Sequence, residues 1–156
     1  MTTVICRSIE AVVFRLVNDR PEYLVLQRSL EERVHPSMWQ IVTGIIEEGE
    51  SAVAAALREV NEEAGVSPVR LWNVPAVSSF YDATRDAVNM VPVFALQADP
   101  GAQVVLSEEH MADQWFSRTD AWNRLVWPAH RQSLDMVDTY IVRGSEAADR
   151  LELKVP

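Results

Sequence analysis

The stretch GIIEEGESAVAAALREVNEEAGV, residues 44–66, decides how the chain is read. Its middle, Ser51 to Ala64, is rich in Ala, Leu and Glu and is predicted to be a helix, with Ser51 able to cap its start and Gly65 to stop it. At roughly 100° per residue, Val53, Leu57, Val60 and Ala64 share one arc, which should face a sheet. Glu59, Glu62 and Glu63 occupy the neighbouring arc, and Glu59 lies one turn from both of the others. Beneath that arc, in the preceding turns, stand Ala52, Ala55 and Ala56, small enough to leave room for a ligand. Converged carboxylates of this kind suit either a solvated acidic face or a hard divalent cation bound through oxygen, such as Mg²⁺. The preceding GIIEEGES differs from a phosphate-cradling loop by one residue: Glu50 stands where a lysine would touch phosphate. The turn therefore delivers one more carboxylate toward the helix.

Residues 44–66 resemble the Nudix box, G-x5-E-x7-R-E-U-x-E-E-x-G-U, with U a bulky aliphatic residue. Gly44, Glu50, Arg58, Glu59, Val60, Glu62, Glu63, Gly65 and Val66 fill every fixed position. The resemblance implies an α/β fold, an α/β/α sandwich around a mixed β-sheet, and hydrolysis of a diphosphate linked to another group with Mg²⁺ or Mn²⁺. It implies that Glu59, Glu62 and Glu63 are metal ligands, with the Gly44 carbonyl added. Arg58 would orient the carboxylates by pairing with Glu50 or Glu62, and Glu59, Glu62 and Arg58 would form the catalytic group. Some family members that act on nucleoside triphosphates carry a Glu-His pair six and five residues before a Trp, and Glu109, His110 and Trp115 repeat that spacing. Glu109 is thus expected to be a further metal ligand or the general base.

Outside the motif, Ile9–Val17 and residues 22–29 (EYLVLQRS) read as strands, with Tyr23, Val25 and Gln27 on one face of the second. Residues 30–37 read as a loop, and WQIVTG as a short strand ending at Gly44. Residues 69–81 and 88–97 read as strands around the turn DATRDA, and Gln114–Phe116 as another. A short helix is expected over Asp120–Leu125. A longer one is expected from Pro128, with Leu134, Val137 and Ile141 at helical spacing, and the polar tail from about residue 144 should be weakly held. Further side chains join the substrate candidates by position: Arg28 for a terminal phosphate, Trp39 and Gln40 for a pocket wall, and Trp127, with Trp122 as the alternative, for stacking on a base. Tyr81 joins them by resemblance, since some relatives that cleave dinucleoside polyphosphates carry a tyrosine near that place.

The 156 residues, 48% apolar and 24% charged, fit one domain spanning 1–156. A net charge of −9 argues against a nucleic-acid or membrane-surface partner and means that phosphate needs intervening cations. One cysteine, Cys6, excludes an internal disulfide, and no apolar run reaches membrane-spanning length, so a cytoplasmic protein, monomer or homodimer, is expected. LQRS, MWQIVTG and SEEHMADQW are similar to a subgroup of the family labelled dATP or dihydroneopterin triphosphate pyrophosphatases. The expectation is a pyrophosphohydrolase of a small nucleotide, dATP-like, releasing pyrophosphate. Dihydroneopterin triphosphate or a dinucleoside polyphosphate is the alternative substrate, and a non-catalytic nucleotide sensor the alternative role.

Overall fold

The computed structural model describes residues 1–155. Its elements run β1 (Thr3–Ile5), β2 (Ser8–Val17), β3 (Arg20–Arg28), β4 (Trp39–Gln40), β5 (Val42–Ile45), α1 (Ala52–Ala64), β6 (Arg70–Asp82), β7 (Ala87–Gln97) and β8 (His110–Phe116). Then follow α2 (Arg118–Arg124), α3 (Pro128–Met136), a π-helical segment (Val137–Val142), α4 (Glu146–Leu151) and β9 (Glu152–Leu153). The sheet runs β4-β3-β2-β7-β6-β9, with β1 on β7, β5 on β2 and β8 on β3. It is mixed: β7 is parallel to β1 and β2, and the remaining pairs are antiparallel.

Alternation along the strands builds two cores. Ile9, Ala11, Val13, Leu24 and Leu26 face α1, while Val12, Phe14, Tyr23 and Val25 face α2, α3 and α4. The α/β/α sandwich expected from the motif is the observed fold. Ser51 caps α1 by accepting from the Ala54 N–H, and Gly65 ends it in the left-handed region at φ 64°.

The three alanines do not behave as expected. Ala55 and Ala56 are fully enclosed in the α1-side core, and Ala52 packs against it. Their small size brings the helix close to β5 and β2 instead of leaving space for a ligand.

Three expected elements also differ. WQIVTG divides at Ile41, so that β4 pairs with β3 and β5 with β2. β8 starts at His110, four residues before the expected strand, because β3 offers partners as far as Arg28. The tail is docked: Ser145 caps α4, Ala148 is buried, β9 pairs with β6, and Glu152 takes a two-pronged bond from Arg70 at 2.7 Å. Its polar residues form the outer side of an amphipathic turn, and Leu151 and Leu153 supply the inner side.

Candidate active site

Strand β5 brings Gly44 against α1 so closely that a Cβ there would overlap the Glu59 carboxyl group. A side chain here would push the Glu59 carboxylate from its place beside Arg58 and the Ile45 N–H, so the glycine serves this contact and not a positive φ. In the space so left, Glu59 accepts the Ile45 N–H at 3.2 Å. Arg58 fastens the cluster. Its Nε and one terminal nitrogen hold the two Glu50 oxygens at 2.9 Å, and the other terminal nitrogen reaches Glu59 at 2.9 Å and Glu62 at 3.1 Å. It also donates to the Ile45 carbonyl at 2.8 Å. A planar fork suits this task as an ammonium would not. The guanidinium, with help from the Glu47 N–H, holds Glu50 down to about 2. Of the two partners left open for Arg58, the structure uses both.

Glu63 is different. It is buried, and its Oε2 has no hydrogen-bond partner. Burial first, then the charges of Glu59 and Glu109, pushes its carboxyl up to about 9. The nearest imidazole, His110, stands 3.9 Å away and is itself enclosed, with both ring nitrogens unpaired. Burial, followed by the Arg28 charge, lowers His110 to about 4, so the ring is neutral and does not neutralise Glu63. Burial also raises Glu59.

Strands β3 and β8 bring two more expected residues to this place. Arg28 pairs with His110 across the ladder, and the Glu109 carbonyl accepts the Ser29 N–H at 2.8 Å. Both side chains act on the Glu63 charge, Glu109 raising its proton affinity and Arg28 lowering it. Arg28 is held by Glu32 at 2.7 Å and by the Val34 carbonyl at 3.0 Å. Gln40 is buried with its Nε2 unpaired.

Trp39 is half-buried. It packs edge-on to Phe116 and lies under Arg124, at the wall of a cleft of about 640 Å³ shared with Gln114, Asp120 and Asn123. Trp127 is exposed and meets His35 edge-on at 5.0 Å. Tyr81 stands apart. It is exposed on the β6–β7 hairpin and donates to Asp86 at 2.9 Å. Its partner Val88 is five residues along β7 from the Glu10–Val93 pair, roughly 17 Å. A tyrosine this far out belongs to the hairpin end, not to the acidic cluster.

The donor set fits a hard divalent cation. It is made of oxygens, and one of them is a buried carboxylate oxygen without a partner. Among the described residues no trio of Asp, Glu, His or Cys already stands in coordination geometry, because Arg58 draws Glu59 and Glu62 toward itself.

A family model described as the NUDIX domain matches residues 7–137. The chain belongs to the Nudix family. The Nudix domain is similar to dihydroneopterin triphosphate diphosphatase of Escherichia coli K12, with 43% identity over 63 residues, 40% of this chain and 39% of that protein. It is also similar to the octanoyltransferase of Myxococcus xanthus, with 33% identity over 103 residues, 62% of this chain and 27% of that protein. The chain thus spans well under half the length of these two relatives. Among solved structures, the E. coli dihydroneopterin triphosphate pyrophosphohydrolase superposes with TM-score 0.69 at 28% identity, covering 86% of this chain and 96% of that one.

A second polar group was not anticipated. Glu10 lies in β2 on the α3 side of the sheet, buried, with His130, Ser133 and Ser78 around it. The signal was present in SIEAVVF: a glutamate at an inward position, two and four residues before Val12 and Phe14.

Among the described residues no helix is long and apolar enough to cross a membrane.

Proposed function

We propose that this Nudix domain is a divalent-cation-dependent diphosphatase acting on the triphosphate ester of a small ring compound, releasing pyrophosphate and the monophosphate. The observation that carries the reading is the buried, unpaired Glu63 oxygen under the added charge of Glu59 and Glu109, because gathering carboxylates in this way is costly unless a cation completes the site. Glu59, Glu62 and Glu63, with the Gly44 carbonyl, would hold Mg²⁺ or Mn²⁺, and Glu109 would complete the set or serve as the base. When bound, the cation neutralises phosphate charge and acidifies the attacking water.

The chain's own groups do the rest. Arg58 keeps the carboxylates in register. Where Glu109 does not hold the cation, its carboxylate accepts the proton of the attacking water. Arg28 offers N–H donors to the terminal phosphate after exchanging its Glu32 contact. Trp39 and Gln40 bound the approach from β4, and Trp127 bounds it from the start of α3.

Two substrates are supported. Dihydroneopterin triphosphate is favoured by the E. coli relatives, and dATP by the segments LQRS and SEEHMADQW. The test is a panel with Mg²⁺ of nucleoside triphosphates, dinucleoside polyphosphates, nucleotide sugars and dihydroneopterin triphosphate, with products read by phosphorus NMR in ¹⁸O-water. Pyrophosphate and a monophosphate should form, and Glu62→Gln should lower kcat by 10²-fold or more with the fold kept, an amount on the order of that seen when a positioned catalytic group is removed. Turnover persisting in excess EDTA would refute the reading.

A further inference from the structure

The loop that joins β3 to β4, residues 29–38, holds a shape its residues do not favour. His35 and Ser37 both stand in the left-handed region, at φ 51° and 59°, and neither is a glycine. A Cβ in that region crowds the backbone, so the conformation persists only where other contacts impose it. Support from within is slight. The Glu32 N–H reaches the Ser29 carbonyl at 3.3 Å, and the Met38 N–H reaches the His35 carbonyl at 3.4 Å. Leu30 and Val34 are exposed and give the loop no apolar anchor.

The imposing contacts come from β3. Arg28 Nε donates to the Val34 carbonyl at 3.0 Å, and one of its terminal nitrogens donates to Glu32 Oε2 at 2.7 Å. Gln27 Nε2 donates to the Ser37 carbonyl at 3.0 Å. Farther along, His35 meets Trp127 edge-on at 5.0 Å. The same guanidinium serves the acidic cluster. The Arg28 charge lowers the proton affinity of both Glu63 and His110, and the Glu32 charge raises that of His110. The Arg28–Glu32 pair thus stands within electrostatic reach of the place where phosphate must arrive. A carboxylate and a phosphate oxygen compete for the same planar fork. In a chain of net charge −9, a guanidinium beside the cluster is a scarce donor, and Glu32 occupies it.

We propose that residues 29–38 form a strap latched by Glu32, whose carboxylate fills Arg28 in place of phosphate, and that capture of a terminal phosphate by Arg28 releases it. Once Arg28 turns to phosphate, Glu32 and the Val34 carbonyl lose their donor. His35 and Ser37 then relax toward ordinary backbone, and His35 leaves Trp127. Phosphate capture therefore comes before full exposure of the indole, and a ring without a phosphate chain does not open the strap. The inference rests on the reading of Arg28 as the holder of the terminal phosphate.

NMR relaxation of the backbone amides reads the strap without turnover. Wild type and Glu32→Ala are compared in excess Mg²⁺, with and without pyrophosphate. In wild type with Mg²⁺ alone, the amides of residues 30–35 and 37 should be ordered, with S² of about 0.85. Pyrophosphate should bring them below about 0.6, while the β6–β7 turn at residues 83–86 keeps its own values. Glu32→Ala should show the lower values without pyrophosphate, and the Trp127 indole signal should shift in both cases. By calorimetry, pyrophosphate should bind Glu32→Ala about 3–10-fold more tightly than wild type, since no carboxylate competes for Arg28.

A strap released by pyrophosphate and by Glu32→Ala, in a protein that cleaves none of the triphosphates, would sink the hydrolase reading and leave the latch standing. A strap that stays ordered when pyrophosphate binds, or in Glu32→Ala, overturns the latch. So does pyrophosphate that binds neither protein. A Glu32 that merely fastened the loop would free it on substitution without changing pyrophosphate affinity, and that result overturns the inference as well.

Discussion

Replacing Glu63 by Gln in metal-free protein isolates the cost of the incomplete acidic site. Glu63 has an ordinary value of 4.5 and is pushed up to about 9 in the fold, mainly by burial. A carboxyl raised on folding binds its proton more tightly in the native state. Its contribution to stability is full below about pH 4.5 and is lost as pH rises through about 9. Each pH unit in that window is worth about 1.4 kcal/mol, an upper bound of about 6 kcal/mol across it. Glutamine keeps the shape and carries no charge in either state, so it escapes the loss. In EDTA the variant should therefore gain on wild type by up to about 1.4 kcal/mol per unit between pH 5 and pH 9. The assay is urea unfolding at pH 5, 7 and 9, with the m-value checked for constancy. Adding Mg²⁺ should stabilise wild type and do much less for the variant, since a ligand that prefers the native state raises its stability. A difference between the two proteins that stays flat with pH would refute the argument.

Arg58→Lys exchanges a fork for a point charge. It should lower Tm and reduce kcat by on the order of 10²-fold, as expected when several carboxylates lose their common brace; thermal melts and initial rates measure both. Tyr81→Phe removes a hydroxyl that serves Asp86 on the hairpin, so kcat/KM should not change for any substrate of the panel, dinucleoside polyphosphates included.

The acidic helix was legible because its information is local. Residue spacing within 44–66 fixes which carboxylates converge, where Ser51 caps and why Gly65 stops. The sandwich followed once that motif was recognised, and the strands followed from alternation. What the sequence concealed is non-local. Ala55 and Ala56 look like free space in a helical projection, and only the proximity of β5 turns them into contact surface. Ser145, Ala148 and Leu153 look like a loose tail until β6 offers them an edge. Glu10 and Ser133 carry no common pattern at all, because helix α3 must first be laid across the sheet before they meet.

Two buried bonds tie β2 and β3 to α3 and the π-helical segment that follows it: Ser133 to Glu10 across 123 positions, and Tyr23 to Asp138 across 115. Closing spans of that length is slow, since the chain entropy is surrendered before the contact forms. The acidic helix and its neighbours in β5 need no such wait. During synthesis or refolding, the acidic cluster should therefore assemble early and the seam between the sheet and α3 late, leaving a transient species that can gather cations before its second core has closed.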